Sequence, residues 1–372
     1  MIYLDNAATT RMYDEVIDYE KEFEKKYFAN PAALHSFGSK VEEKVDRARS
    51  KIAKYIGADQ SEIYFTKGAT ESNNIVIKSF ESEKNTAITS KIEHSSVIDT
   101  FENSKFKEVK FIENDDFGFL KLDQLESLID DDTKLISIIY VQNELGSIQD
   151  IKKIANIIKK ENKDIFLHLD ATQALGKIDI DVKNLGIDAM SFSSHKIHGP
   201  KGIGGLYLNK EKSSKIRPYL FGGRQEEISS GTLNAPAVCA FAKALGLSEE
   251  KEDYSYIKEL NIYLRNKILD KISGVHVNSA LENTSPYILN ISFSKIKSEV
   301  LLHMLEMDEI YVSSGSACSK GKDNRILEAI GLDDEFIDGS LRFSFSHDIT
   351  KKDLDKLVDS LSEHIEEIRM VF

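Results

Sequence analysis

Ile165-Phe166-Leu167-His168-Leu169-Asp170 is an apolar run that ends in a carboxylate and continues into Ala171-Thr172-Gln173. A second run, Ala189–Phe192, leads through Ser193-Ser194-His195-Lys196 into the turn Gly199-Pro200-Lys201-Gly202. Both runs are short and bounded by turn residues, as strands buried on both faces are. Leu135–Val141 and Ile203–Leu208 read the same way. Amphipathic helices separate the runs. Val41, Val45, Ala48, Ile52 and Tyr55 share one helical face that ends at Gly57, and Ile151, Ile154, Ala155 and Ile158 follow Asp150, a good N-cap. Strands alternating with helices predict an α/β fold with a mostly parallel sheet covered on both faces. Ligands of such sheets sit beyond the carboxyl ends of the strands, so the polar residues that follow each run are the candidates for chemistry.

The chain has 372 residues, more than one core usually supports, so two packed units are expected. A large unit over about 15–250 would be joined by a smaller α+β unit made of 1–14 and 251–372. In the second stretch Glu249–Ile268 reads as a connecting helix, and a last helix runs from Lys351 to about Ile368 behind an N-cap at Thr350. A formal charge of −13 argues against a protein that coats nucleic acid. No apolar run is long enough to span a bilayer, and the first residues lack the pattern of a signal peptide. The two cysteines, Cys239 and Cys318, have neither disulfide nor metal-ligand spacing. No metal is expected, and a reducing cytoplasm is the expected compartment.

A carboxylate at one strand end and a lysine at the next are what a pyridoxal cofactor requires. The lysine forms the Schiff base, and the carboxylate keeps the pyridine nitrogen protonated so that the ring accepts electrons. Taken singly, an Asp after a strand is most often a turn former and a Lys most often solvated. Gly68-Ala69-Thr70-Glu71-Ser72 follows the short strand Ile63-Tyr64-Phe65 and opens a helix, Ser72–Phe80. Its free N–H groups and positive dipole end suit a phosphate, although an isolated Thr there is more commonly a cap. Ser193, His195 and Thr232 are further candidate donors to that phosphate.

These segments together resemble the cysteine desulfurases of the NifS/IscS type, within the class V, fold-type-I pyridoxal-phosphate enzymes. The resemblance runs nearly end to end. It includes Tyr3–Thr10, Asn30-Pro31-Ala32, Gly68–Ser72, Glu93-His94, Asn143–Gly146, Asp170–Gln173, Ser193–Lys196, Ser230-Gly231-Thr232, Ser313–Cys318 and Arg342-Phe343-Ser344. It implies that pyridoxal 5'-phosphate is held by Lys196, with Asp170 on the ring nitrogen, Gln173 on the ring oxygen and His94 stacked on the ring. Ala69, Thr70, Ser193 and His195 would hold the phosphate, with Thr232 reaching across from a second subunit of a homodimer with shared active sites. Asn143 and Arg342 would anchor the carboxylate of L-cysteine, a task for which a planar guanidinium is well shaped. The implied activity converts L-cysteine to L-alanine and passes the sulfur to Cys318. From there it would go to an acceptor protein, an iron–sulfur scaffold or a tRNA-thiolation enzyme.

Cys318 sits in Ser313-Ser314-Gly315-Ser316-Ala317-Cys318, a small-residue stretch with Lys320 and Lys322 close behind, which favours an accessible thiolate. Cys239, in the apolar helix Val238–Leu247, reads as a core residue. Among the nine histidines His94 and His195 are the functional candidates, and His168, inside a strand, is expected to be structural. Two departures from the family pattern bear on the acceptor. The loop after Cys318 is short, and Ser230 stands where many members carry arginine. Rival readings are another reaction on the same fold, such as a selenocysteine lyase or aminotransferase, and a non-catalytic scaffold. The scaffold fits poorly with the presence of both Lys196 and Asp170.

Overall fold

The computed structural model describes residues 1–223, 226–314 and 324–371. The strands are β1 (Ile2–Tyr3), β2 (Ile63–Thr66), β3 (Thr86–Ser90), β4 (Glu108–Ile112), β5 (Thr133–Ile139) and β6 (Phe166–Asp170). They continue as β7 (Ala189–Ser193), β8 (Gly204–Leu208), β9 (Val275–Val277), β10 (Ile288–Phe293), β11 (Ile310–Tyr311) and β12 (Ser340–Ser344). Seven of them form one sheet in the order β2-β8-β7-β6-β5-β3-β4. Every pair from β7 to β4 is parallel, and β8 alone runs antiparallel to both its neighbours. The fold is therefore α/β with a mostly parallel central sheet, as the alternation of runs and helices predicts.

Period-two alternation assigns each strand residue to a face. In β6, Leu167 and Leu169 enter the larger hydrophobic cluster, packed with Ile52, Ile154 and Val238 from the helices Ser36–Tyr55, Ile151–Glu161 and Ala235–Lys251. Phe166 faces the other way and joins Ile75, Val76 and Val97 from the helices Ala69–Phe80 and Ser95–Glu102. His168 lies on the Phe166 face, fully buried, with ring nitrogens 2.8 Å from the Ser137 and Ser191 hydroxyls. Burial pushes its pKa down to about 4, so it is a neutral, satisfied core residue, as its place inside an apolar strand suggests.

A third hydrophobic cluster is built on the antiparallel sheet β12-β10-β9 and on the helices Tyr254–Lys271, Ser298–Met307 and Lys351–Val371. Ile2 and Leu4 from the chain start join it, because β1 pairs with β11. The expected connecting helix Glu249–Ile268 is not continuous. The chain breaks at Glu252-Asp253 between Ala235–Lys251 and Tyr254–Lys271. Two side chains explain the break. Asp253 caps the second helix by accepting from the N–H groups of Ser255 and Tyr256, and Glu252 turns inward onto His198 and His347. Burial alone would raise the Glu252 carboxyl, but its hydrogen bonds to the two imidazoles bring it down to about 2. The final helix starts after Thr350, whose hydroxyl accepts from Asp353 N–H while the Asp353 carboxylate accepts from Thr350 N–H, a reciprocal cap.

One close approach holds the turn before the helix Ala69–Phe80 in place. Gly68 has φ +151°, which L side chains rarely adopt, and a Cβ on Gly204 of β8 would lie 2.7 Å from Gly68 Cα and 2.5 Å from Phe192 O. Both neighbours are backbone and cannot step aside. Gly204→Ala is expected to cost on the order of 1–3 kcal/mol in urea unfolding, the usual penalty for forcing volume into a packed site. The same variant should weaken retention of any phosphate ligand bound at the Gly68 turn, which equilibrium dialysis would measure.

Candidate active site

The carboxyl ends of the parallel strands open into a cavity of about 870 Å³. Of the residues singled out from sequence, Ala69, Thr70, His94, Asn143, Asp170, Gln173, Ser193, His195, Lys196 and Arg342 all line it. Thr232 does not; it is exposed on the surface of this chain. Cys318 lies outside the described residues.

Lys196 follows β7 in a short helical turn, Ser194–Lys196, and its Nζ donates to the carbonyls of Ala7 and Ala8, both at 2.6 Å. The first residues thus form one wall of the cavity. Asp170 ends β6 and is 3% exposed. One of its oxygens accepts from Thr172 N–H at 3.0 Å, and the other from Asn73 Nδ2 at 2.9 Å. Asn73 also donates to Ser96 Oγ at 2.9 Å, and Ser96 contacts His94 Nδ1 through its N–H at 3.1 Å. A backbone N–H can only donate, so His94 Nδ1 accepts and the neutral ring carries its proton on Nε2. Burial lowers the His94 pKa, which keeps the ring neutral. Asn73 is the link that the sequence reading lacks. It sits one residue beyond the Gly68–Ser72 motif, and only its contact with Asp170, 97 positions away, marks it as part of the site.

The helix Ala69–Phe80 points its N-terminus into the cavity beside Ser193 and His195. Glu71, which also lines the cavity, is held by donors of its own: it accepts from Ser229 Oγ at 2.6 Å and from Lys67 N–H. His195 has Nδ1 3.1 Å from Thr9 Oγ1, and burial, with Lys196 and Lys201 nearby, pushes its pKa down to about 4. At neutral pH it is a hydrogen-bonding imidazole without charge.

Across the cavity Arg342 of β12 is 5% exposed. Its guanidinium donates to Asp5 Oδ1 at 2.9 Å and to Asn143 O at 3.1 Å, while its Nε is buried without a partner among the described residues. Asn143 Oδ1 is likewise buried and unpartnered. Unsatisfied buried groups are expensive, and the guanidinium, which lines the cavity, fits an anionic ligand there. Asp5 was not foreseen as a site residue. Its role follows from the isolated bridge between Asp5 and Ser344, which brings the N-terminus to β12. Gln173 is held by a chain of contacts: its Nε2 donates to Ala7 O and its Oε1 accepts from Lys177 Nζ, both at 2.8 Å.

Taken together, the site brings the Lys196 amine, the buried Asp170 carboxylate, the neutral imidazoles of His94 and His195, a helix N-terminus and the Arg342 guanidinium to one cavity. That donor set fits pyridoxal phosphate: an amine for its aldehyde, an anion for its ring nitrogen, and N–H groups for its phosphate. Residues 2–357 match the model of the aminotransferase class-V family, and the chain belongs to that family. Within it, the chain is 38% identical over 381 residues to the cysteine desulfurase IscS of Dictyoglomus turgidum, covering 100% of this chain and 96% of the relative. A solved structure of a NifS-like protein superposes with a TM-score of 0.91 at 35% identity, covering 98% of this chain and 99% of that one. Another, SspA in complex with cysteine, gives 0.80 at 33% identity over 93% of this chain and 99% of that one. The family implies pyridoxal phosphate as cofactor and chemistry of the desulfurase type. Among the described residues, no helix is long and apolar enough to cross a membrane.

Glu93, next to His94, is fully buried, and burial pushes its pKa up to about 8, opposed by a hydrogen bond from Ser90. An unfolded Glu ionises near pH 4.3. Between these values the folded chain binds one more proton than the unfolded chain, so this residue makes stability fall as pH rises from about 4.5 to 8. Glu93→Gln, which keeps the shape without the charge, should flatten that part of the profile and raise stability by a few kcal/mol at pH 8. Urea unfolding at pH 5, 6.5 and 8 checks this; parallel profiles for the two proteins would count against it.

Proposed function

We propose that this protein is a pyridoxal-phosphate-dependent cysteine desulfurase, converting L-cysteine to L-alanine and accepting the sulfur as a persulfide on Cys318. The observation that carries the reading is the convergence of Lys196, Asp170, His94 and Arg342 on one cavity, each from a different structural element. The relative solved with cysteine, at 33% identity, adds support for the substrate.

When bound, the cofactor supplies an electron sink that weakens the bonds around the substrate's Cα and Cβ. The chain's own residues do the rest. Lys196 holds the cofactor and then moves the Cα proton. Asp170, held in place by Asn73 and Thr172, would sustain the positive charge on the ring nitrogen. His94 presents an Nε2 proton to the cavity, suited to relay a proton to the departing sulfur or the product. Arg342 and Asn143, which both line the cavity, take the substrate carboxylate, with the guanidinium already oriented by Asp5.

The thiolate of Cys318 then forms a bond to the substrate sulfur. The Cβ–S bond breaks, its electron pair stays on Cβ, and protonation there yields alanine. Ser313 exchanges both backbone hydrogen bonds with Arg342, and both Ser313 and Arg325 line the cavity. The described residues on either side of the Cys318 segment thus both line the cavity, which supports the reading. Delivery of the sulfur onward to an iron–sulfur or tRNA-thiolation acceptor rests on the resemblance. So does a homodimer with Thr232 crossing the subunit boundary, which the exposure of Thr232 and of Phe221 (84%) supports. We also assign 15–250 to a cofactor-binding unit and 1–14 with 251–372 to a smaller one, supported by the separate cluster that gathers Ile2, Leu4 and the C-terminal helices. A reducing, cytoplasmic setting suits a free thiol of this kind.

Lys196→Ala should abolish turnover and the absorbance near 400 nm (about, for a lysine-bound cofactor). Cys318→Ser should keep that absorbance and its response to L-cysteine but release no sulfide. Mass spectrometry after one exposure to L-cysteine should find one added sulfur on the Cys318 peptide, and none in the serine variant. Normal sulfide release by Cys318→Ser would rule the desulfurase reading out in favour of another reaction on this fold.

Arg342→Ala should lower kcat/KM for cysteine tenfold to several hundredfold, about what loss of a charge-assisted contact produces, while cofactor binding changes little. Steady-state kinetics alongside cofactor titration separates the two; an unchanged kcat/KM removes Arg342 from the substrate site.

A further inference from the structure

Two residues beyond Lys196 the chain turns through His198, whose φ of +60° is uncommon for a residue other than glycine. The turn is held from several directions. His198 N–H donates to Thr10 Oγ1 at 2.7 Å, its Nδ1 lies 2.7 Å from Arg11 O, and the Tyr13 ring stacks on it at 4.4 Å. A carbonyl can only accept, so Nδ1 carries the proton and Nε2 is the nitrogen left to face inward. That Nε2 is 3.2 Å from Glu252 Oε1, and His347 Nδ1 is 2.8 Å from the same oxygen. Tyr13 OH also donates to it, at 3.3 Å. Glu252 Oε2, by contrast, is buried with no hydrogen-bond partner among the described residues. One carboxylate oxygen is crowded by two imidazoles and a phenol while its twin has no hydrogen-bond partner among the described residues, on a side chain only 6% exposed.

We propose that His198, Glu252 and His347 bind one divalent cation of the zinc class, at a site separate from the active-site cavity. The three ligand atoms lie within 4.8 Å of one another. Two imidazoles and one carboxylate are a donor set that zinc and its neighbours favour. Metal bonds of about 2.0–2.2 Å place tetrahedral ligands about 3.3 Å apart. The His198–Glu252 separation already matches, and the His347–Glu252 pair must open by about half an ångström. His347, 23% exposed, is the ligand with room to move, and its exposure leaves a path for the ion and for a water ligand. The Nδ1–H of His198 on the Arg11 carbonyl is the outer contact that fixes a metal-binding tautomer. The cation would take up the second carboxylate oxygen and tie together four segments: the Arg11–Tyr13 stretch, the turn after Lys196, the break between the helices at Glu252, and the chain just beyond β12.

The test is zinc binding to the chelator-treated holoenzyme, measured with ZnCl2 by calorimetry and by metal analysis after dialysis. Cys318→Ser serves as the background, which removes the loop thiol as a competing ligand. One zinc per chain is expected, together with a rise in thermal midpoint that grows with zinc concentration. Glu252→Gln and His347→Ala should each weaken binding at least tenfold and abolish the thermal shift. Circular dichroism reports whether each variant folds. Should Glu252→Gln fail to fold, the more exposed His347→Ala decides alone. No zinc beyond a trace, or one zinc whose affinity is unchanged by His347→Ala, overturns the proposal and leaves the cluster as an ion pair of imidazoles with a carboxylate.

Discussion

The in-register parallel pairing of β6 with β7 is the constraint on which the site depends. Asp170 pairs with Ser191, so the two strands end at the same edge of the sheet with their polar ends together. Parallel strands put all their carboxyl ends on one side, and that side cannot be filled by the next strand's turn, because each connection must travel back along a helix. What remains is a concave edge where Asp170, Lys196, Asn143 and the Gly68 turn converge. The antiparallel β8 completes the arrangement from the other side. It pairs with β7 and β2 together and, at Gly204, lets the Gly68 turn settle against the sheet without a side chain between them.

Charge in the site is controlled mainly by burial. His94, His195 and His168 are all held neutral because an imidazolium would lose its hydration, and Glu93 is held protonated for the same reason. The Asp170 carboxyl at the end of β6 is surrounded by donors from Asn73 and Thr172. A site rich in neutral hydrogen-bonding groups, with its charged groups held in fixed places, concentrates its field on the positions where a ligand's charges fall. On the Arg342 side of the cavity the guanidinium is likewise oriented by a carboxylate, that of Asp5.

Much of this is legible in the residue order. The strand ends at Asp170 and Lys196, the phosphate-type turn at Gly68, and the buried nature of His168 and Cys239 follow from apolar runs and the polar residues that close them. The break at Glu252-Asp253 is not legible in that way. Residues 249–268 carry a helical pattern throughout, and only the inward pull of His198 and His347 on Glu252 shows why the helix stops. Asn73 and Asp5 were missed for a related reason: each is recruited by a partner distant in sequence, Asp170 and Arg342 respectively.

The sequence by itself determined the fold class and the chemical types gathered at the strand ends, because burial and period are local properties that a single segment displays. The tertiary structure alone decided which of those groups meet. Whether Arg342 faces Lys196 depends on the pairing of the first strand with β11 and of Asp5 with Ser344, contacts between residues more than three hundred positions apart. No local pattern encodes a separation of that length. It is set when the N-terminal segment is buried against the C-terminal cluster, since only there can Ile2 and Leu4 leave water while their backbone hydrogen bonds are satisfied.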